Sequence, residues 1–191
     1  MNLNVIFFIG PQGSGKGTQA KILAAKLGFF HWDMGAILRA MRSETSDLAK
    51  EVTALIDQGF LLQDDLLLKV VKSKLSEIPS NKGVIFDGVP RRLGQAEFLF
   101  GELQKQGRNN FVTLFIDIPK EETLKRLLLR AEKENRADDT KKKIEFRLEQ
   151  YYKDTFPMID YLKERTTFFE IDGQPSVEEV TKVINQKLEL G

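Results

Sequence analysis

Cysteine is absent from this sequence, and histidine occurs once, as His31. The first absence excludes disulfides and every thiolate metal site, and with one imidazole left a zinc ribbon cannot be built. An excess of either charge is missing too. Lys plus Arg number 29 against 28 for Asp plus Glu, a net +1, so there is no global basic field of the kind that draws a protein to nucleic acid. No apolar run approaches the length of a membrane span, and the opening Met-Asn-Leu-Asn enters a strand without a basic segment or cleavage site. A cytoplasmic protein with neither a nucleic-acid nor a membrane partner is expected. Repeats, low-complexity tracts and linkers are also lacking, and 191 residues suffice for one sizeable core. A single domain over 1–191, with a small insertion or two, is therefore the expectation.

What is present begins with the apolar run Leu3-Asn4-Val5-Ile6-Phe7-Phe8-Ile9, which leads straight into Gly10-Pro11-Gln12-Gly13-Ser14-Gly15-Lys16-Gly17-Thr18. A stretch with helical spacing follows. Strand, glycine-rich loop and helix in that order form a phosphate-binding loop. The glycines let backbone N–H groups turn toward a polyphosphate, Lys16 adds a mobile positive charge, and the helix start adds its dipole. Gly13, Ser14, Gly15, Lys16, Gly17 and Thr18 are thus candidate contacts to a nucleoside triphosphate. Gly17 stands where most such loops carry the hydroxyl that holds magnesium, and Thr18 supplies one a residue later. The metal is therefore expected to be held partly through water, or by another residue.

Val84-Ile85-Phe86, Phe111-Val112-Thr113-Leu114-Phe115-Ile116 and Thr167-Phe168-Phe169-Glu170-Ile171 read as strands, as does Phe29-Phe30-His31-Trp32. With the first run they make five. Segments near 16–27, 35–58, 64–78, 93–106, 120–133, 140–164 and 176–189 carry apolar residues at helical spacing. Continuous apolar strands alternating with helices predict an α/β fold of three layers. It is a P-loop NTP-binding arrangement, a five-stranded parallel sheet with helices on both faces. Ligands of such sheets sit at the carboxyl ends of the strands, where the 10–18 loop and the turns at Asp87 and Asp117 fall. The helix-rich segment 33–62 and the charged stretch after residue 130 are the expected excursions from the core.

Asp87 ends the third strand next to the expected phosphates, an acid suited to orient magnesium or its waters. Gly88-Val89-Pro90-Arg91-Arg92 and then Gln95 follow, compact enough to wall a second ligand. Arg126 and Arg130 lie four apart on one helical face, Arg136 falls in the polar stretch after them, and Arg147 on the next helix. With Arg39 and Arg91, these guanidinium groups can neutralise phosphates on two substrates and on the group passing between them. Activation of water is not provided for. His31 and Trp32 read as packing or wall residues, and no guanine-reading Asn-Lys-x-Asp exists, since Asn81-Lys82-Gly83 is followed by Val84. An acceptor that is itself a phosphate needs no base, so transfer to a phosphate monoester follows more naturally than hydrolysis.

In these motifs the chain resembles the adenylate kinase family of nucleoside monophosphate kinases, over nearly its whole length. Gly10 through Gln19 is similar to the family's loop, which also sets Gly and then Thr after the Lys. Asp87-Gly88-Val89-Pro90-Arg91 resembles the family's Asp-Gly-Phe-Pro-Arg with Val89 for Phe, and Gln95 stands where adenylate kinases read the adenine of AMP. Arg126 and Arg130 resemble the pair that flanks the lid, and Arg136-Ala137-Asp138-Asp139 the lid's return. Arg147-Leu148-Glu149-Gln150-Tyr151-Tyr152 is similar to the helix after it, and Asp172-Gly173-Gln174-Pro175 to the turn bordering the ATP base. The short spacing from Arg130 to Asp139 resembles the short-lid form. Departures concentrate in the first excursion, where Asp33-Met34-Gly35-Ala36 replaces Ser-Thr-Gly-Asp and Phe60-Leu61-Leu62 follows Gly59. Met34 lacks the threonine hydroxyl and Ala36 the carboxylate.

The resemblance implies a reversible phosphotransferase, Mg-ATP plus AMP giving two ADP, acting as a monomer. ATP would be held by Gly13 through Thr18 with Arg126, Arg130 and Pro175. AMP would be held by Met34, Arg39, Phe60, Leu61, Leu62, Gly88, Val89, Pro90, Arg91, Gln95, Arg136 and Arg147. Lys16, Arg91, Arg126, Arg130, Arg136 and Arg147 would act on the migrating phosphoryl group, and Asp87 would hold Mg2+ through water. The AMP-binding excursion at about 33–62 and a short lid at about 130–139 would close over the substrates and exclude water. Two rivals share much of this. A pyrimidine (CMP/UMP) kinase would use the same phosphate chemistry, against which Gln95 speaks. A nucleotide-binding sensor or partner protein with an altered AMP site is allowed by Met34 and Ala36 and opposed by the retained arginines.

Overall fold

The computed structural model describes residues 3–57, 62–134 and 141–190. Its strands are β1 (Val5–Ile9), β2 (Phe30–Asp33), β3 (Val84–Asp87), β4 (Phe111–Asp117) and β5 (Thr167–Asp172). They form one sheet in the order β2-β3-β1-β4-β5, every neighbouring pair parallel. The helices are α1 (Lys16–Leu27), α2 (Met34–Ala40), α3 (Asp47–Asp57), α4 (Asp64–Ser76), α5 (Leu93–Lys105), α6 (Lys120–Glu134), α7 (Lys141–Gln150), α8 (Met158–Arg165) and α9 (Val177–Lys187). All five predicted strands are present, in the expected three layers. Among the described residues no helix is long and apolar enough to cross a membrane.

Both faces of the sheet are buried. In β1, Val5, Phe7 and Ile9 belong to the core on one face, and Ile6 and Phe8 to the core on the other. This two-sided burial is why a continuous apolar run encodes the central strand. Ala20, Leu23 and Ala24 of α1 and Val180 and Ile184 of α9 cover the Ile6 face. Helices α3, α4, α5 and α8 cover the other, around an aromatic stack in which Phe7 and Phe86 lie 5.3 Å apart and Phe100 and Phe111 4.7 Å. Each such ring pair adds about 0.5–1.5 kcal/mol beyond the area it buries.

Two segments expected as single helices are broken. The 35–58 stretch becomes α2, a 3-10 turn at Met41–Ser43 and α3. The Ser43-Glu44-Thr45-Ser46 run is responsible, because Ser46 Oγ accepts from Ala49 N and so caps a new helix start. The 140–164 stretch becomes α7, a π-helical turn at Tyr151–Thr155 and α8. Here Pro157 has no N–H to continue the ladder, and the Thr155 hydroxyl donates to Arg91 O at 3.0 Å.

Candidate active site

Every strand except the central one ends in aspartate: Asp33, Asp87, Asp117 and Asp172. Asp33 is in register with Asp87, and Asp117 with Asp172. The carboxyl edge of the sheet is therefore an acidic row, interrupted in the middle where β1 runs into the 10–18 loop. That interruption is the cationic and amide-rich part. Gly13 and Gly15 take positive φ of 83° and 90°, values open to glycine at little cost. Gly15 caps α1 without any side-chain hydrogen bond, and the first turn of α1 holds no acidic residue. The N–H groups of that turn and the positive end of the helix dipole thus remain available to an anion. Ser14 Oγ, buried and without a hydrogen-bond partner, lies in the same loop. Lys16 Nζ donates to Pro11 O at 3.2 Å, folding its charge back over the loop.

Neighbouring elements close on this loop. A Cβ at Gly13 would stand 3.4 Å from Thr123 O and 3.2 Å from Leu127 Cγ, so α6 packs against it. A Cβ at Gly173 would stand 3.0 Å from Ser14 O, which places the turn after β5 on the loop's other flank. Arg126 ties these two walls together, its guanidinium donating to Gly173 O (2.9 Å), Gln174 O (3.1 Å) and Glu122 Oε1 (2.7 Å). Pro175 follows in that turn and is exposed.

Asp87 joins the loop to a second wall. A Cβ at Gly17 would come 2.9 Å from Asp87 Oδ2, so the residue type that looked anomalous in the loop is the one that leaves room for this carboxylate. Burial pushes the Asp87 carboxyl above the usual carboxylate range, and Asp33 adds to the rise. Lys16, His31 and Arg91 oppose it. A raised folded-state pKa means that the ionised form costs stability, a cost absent at low pH and incurred as pH rises through the folded pKa. Asp87→Asn should therefore melt at a higher temperature than the parent at pH 7, with the gap closing as pH falls through the carboxylate range. Thermal denaturation of both proteins across pH 3–8 checks this, and a variant less stable at pH 7 counts against it.

The wall itself is Gly88 through Arg91. Val89 and Pro90 are buried and support the turn, while Arg91 Nε donates back to Gly88 O at 2.9 Å. Arg91 is exposed as a residue, so its lowered pKa is informative less for burial, its first cause, than for the two charges acting on it. These are Asp87, which favours its charge, and Arg147, which disfavours it. The repulsion between these two guanidinium groups is of the kind that a bound phosphate relieves. Met34 lies on the opposite side, its Cβ 3.4 Å from where a Gly88 Cβ would stand. Its side chain is buried, and Sδ accepts from Trp32 Nε1 at 3.4 Å. Arg39 NH1 and Asp33 Oδ1 both lie beside Gly35, 3.1 and 3.2 Å from its Cβ position, and Asp33 caps α2 by accepting from Ala36 N at 2.9 Å. Gln95 is buried, with its amide bonded to Arg91 N and to Asp64. Leu62 is half-buried at the entry to α4. Phe60, Leu61, Arg136, the Arg130 side chain and residues 135–139 of the lid stretch lie outside the described residues.

The structure therefore brings Lys16, Gly17, Asp33, Met34, Asp87, Gly88, Arg91 and Arg147 to one end of the sheet. Sequence reasoning passed over Asp33 as a strand-end acid, and it missed the pairing of Asp64 with Arg92. The first could have been found from its place one residue beyond an apolar run. The second pair joins positions 28 apart in the chain, for which a single sequence carries no signal.

Comparison with known proteins agrees with this geometry. The adenylate kinase family model matches residues 8–167. An adenylate kinase of Phocaeicola vulgatus is 40% identical over 171 residues, 90% of each chain. One of Hyphomonas neptunium is 39% identical over 188 residues, 97% of this chain and 98% of its own. One of Thermus thermophilus is 38% identical over 175 residues, 92% and 91%. With the parallel five-stranded sheet and the loop between β1 and α1, these matches show that the chain belongs to the adenylate kinase family.

Proposed function

We propose that the chain phosphorylates AMP from Mg-ATP, reversibly, with the triphosphate on the 10–18 loop and AMP against the Asp87–Gln95 wall. The single observation that carries this placement is Asp87, whose carboxylate overhangs Gly17 while its own strand continues into Gly88–Arg91. Donor and acceptor sites thus share one strand end. An oxygen of the AMP phosphate attacks the γ phosphorus, a new P–O bond forms, and the bond to the β,γ-bridging oxygen breaks, its electrons leaving on ADP. No proton has to be removed from that oxygen.

Lys16 and the amides of Gly13 through Thr18 hold the triphosphate, with Arg126, Arg130 and Pro175 on the side of its base. Arg39, Arg91 and Arg147 take the acceptor phosphate, and Lys16 with Arg91, Arg126, Arg130, Arg136 and Arg147 stabilises charge on the migrating group. Met34, Leu62, Gly88, Val89 and Pro90 shape the acceptor wall, with Phe60 and Leu61 completing it and Gln95 facing the base. Mg2+ suits the donor set, because the half-buried Asp87 carboxylate beside Lys16 and the Thr18 hydroxyl could hold its waters. Among the described residues no three carboxylate or histidine side chains converge on a metal. When bound it would neutralise β- and γ-phosphate charge. The segments about 33–62 and 130–139 close over both nucleotides, and the enzyme works as a cytoplasmic monomer without nucleic-acid or membrane partners. The near-zero net charge supports that last reading.

A coupled assay of ADP formation across AMP, GMP, CMP and UMP tests the acceptor. AMP should give the highest kcat/KM, and a higher value for CMP or UMP would return the pyrimidine reading. Hydrogen exchange with a bisubstrate analogue spanning both nucleotides should protect 33–62 and 131–139 together, since closure draws arginines onto phosphate. Protection confined to 10–18 would favour a sensor.

A further inference from the structure

The two ends of the Gln95 amide are held by partners that cannot trade places. Its Oε1 accepts from the main-chain N–H of Arg91 at 2.8 Å, and its Nε2 donates to Asp64 Oδ1 at 2.6 Å. A backbone N–H only donates and an ionised carboxylate only accepts. Turning the amide by half a revolution would set two donors against each other at one end and two acceptors at the other. Gln95 is 4% exposed, so water cannot make good either mismatch.

Asp64, the first residue of α4, is itself fixed. Arg92 NH1 donates to the same Oδ1 at 3.1 Å, and Arg92 Nε donates to Asp154 Oδ2 at 3.1 Å. The Arg91 main chain is fixed at both of its polar groups, its N–H on Gln95 and its carbonyl accepting from the Thr155 hydroxyl. Each clamp on Gln95 is therefore backed by a second contact that reaches the Tyr151–Thr155 turn.

We propose that Asp64 is a specificity-determining positioning residue, which locks the orientation of the Gln95 amide and so fixes the order of donor and acceptor shown to the acceptor base. This rests on the reading above that Gln95 faces that base. After its two internal bonds the amide retains one lone pair on Oε1 and one hydrogen on Nε2, an acceptor beside a donor. Adenine meets this pattern with its 6-amino donor and its N1 acceptor. Hypoxanthine has the same shape with the order reversed, a 6-oxo acceptor and an N1–H donor. Against a locked amide the 6-oxo base faces oxygen with oxygen and N–H with N–H. Against a freely turning amide both bases are served. The lock thus discriminates by penalising the wrong partner, without an added contact to the right one.

The experiment compares AMP and IMP as acceptors in Asp64→Asn, whose amide can donate or accept, so that of the two clamps only the Arg91 N–H still favours one turn of Gln95. The ratio of kcat/KM for AMP over IMP should fall about tenfold or more, a change expected when a mismatched buried pair becomes satisfiable, with the KM for ATP unchanged. Asp64→Ala, which offers Nε2 no partner, should shift the ratio the same way, and either variant suffices if it folds. A folded variant in which both acceptors lose equally, leaving the ratio within about twofold of the parent, overturns the lock and leaves Asp64 a structural residue. Gln95→Ala separates this from failure of the site reading. If it raises the KM for AMP more than that for ATP, Gln95 is in the acceptor site and only the lock is at stake, whereas equal effects remove Gln95 from that site.

Discussion

Lys16→Ala lowers kcat by about 10²–10³-fold, the size of loss seen when one preorganised charge or donor is taken from a transition state, while the fold persists. Lys16 is the only charged side chain within the 10–18 loop. Its ammonium group donates to the loop's own backbone at Pro11 O. The loss falls on the donor phosphates, whose developing charge keeps only amides and more distant guanidinium groups. Asp87 also loses the first of the charges that hold its carboxyl down, so the variant should have a still higher Asp87 pKa. Steady-state rates with circular dichroism on the same sample check the claim. A folded variant with parental kcat would remove Lys16 from the chemistry.

Gly10→Ala destabilises the protein by about 3–5 kcal/mol, near the upper end for single substitutions. Two costs act together at this position. Its φ of +148° is one that an L side chain rarely adopts, and a Cβ there would collide with Ile116 O. That oxygen belongs to β4, paired in register with β1 and β5, and cannot retreat without breaking the sheet. Gly15 provides the control. It also has positive φ, +90°, but a Cβ there meets nothing within 4 Å, so Gly15→Ala costs only the backbone term of about 1–2 kcal/mol. At roughly 2–4 °C per kcal/mol for a chain of this size, the two variants should separate clearly in a melting experiment. Equal melting temperatures would mean that the Ile116 contact relaxes.

The strands and the loop were legible because their causes are local. A continuous apolar run such as Phe111–Ile116 has one stable use in a chain of alternating elements, burial on both faces. The sequence Gly-x-x-Gly-x-Gly-Lys declares its backbone geometry residue by residue, and Gly13 and Gly15 do take the left-handed conformations that it requires. Side-chain direction was less legible. Arg91 and Arg92 are adjacent and chemically identical, yet Arg91 folds onto Gly88 while Arg92 reaches Asp64 and Asp154. Arg92 is extended, with φ −138° and ψ 156°, and successive side chains on extended backbone point to opposite sides. Which of the two serves a ligand depends on partners far away in the chain. Arg108 makes the same point in the core. Among so many arginines it would pass for a surface residue, but it is 1% exposed and donates to the carbonyls of Pro79 and Lys82.

Trp32 is the chain's only tryptophan, wholly buried at the end of β2, with its ring 5.3 Å from Phe86 and its N–H on the sulfur of Met34. The protein thus carries a single indole fluorophore, and it sits at the root of the first excursion. Its emission has no second indole to blur it, and a thioether in direct contact makes its intensity sensitive to where Met34 lies. A light signal from this molecule is therefore a local gauge of the acceptor side of the cleft, with the donor side optically silent at the same wavelength.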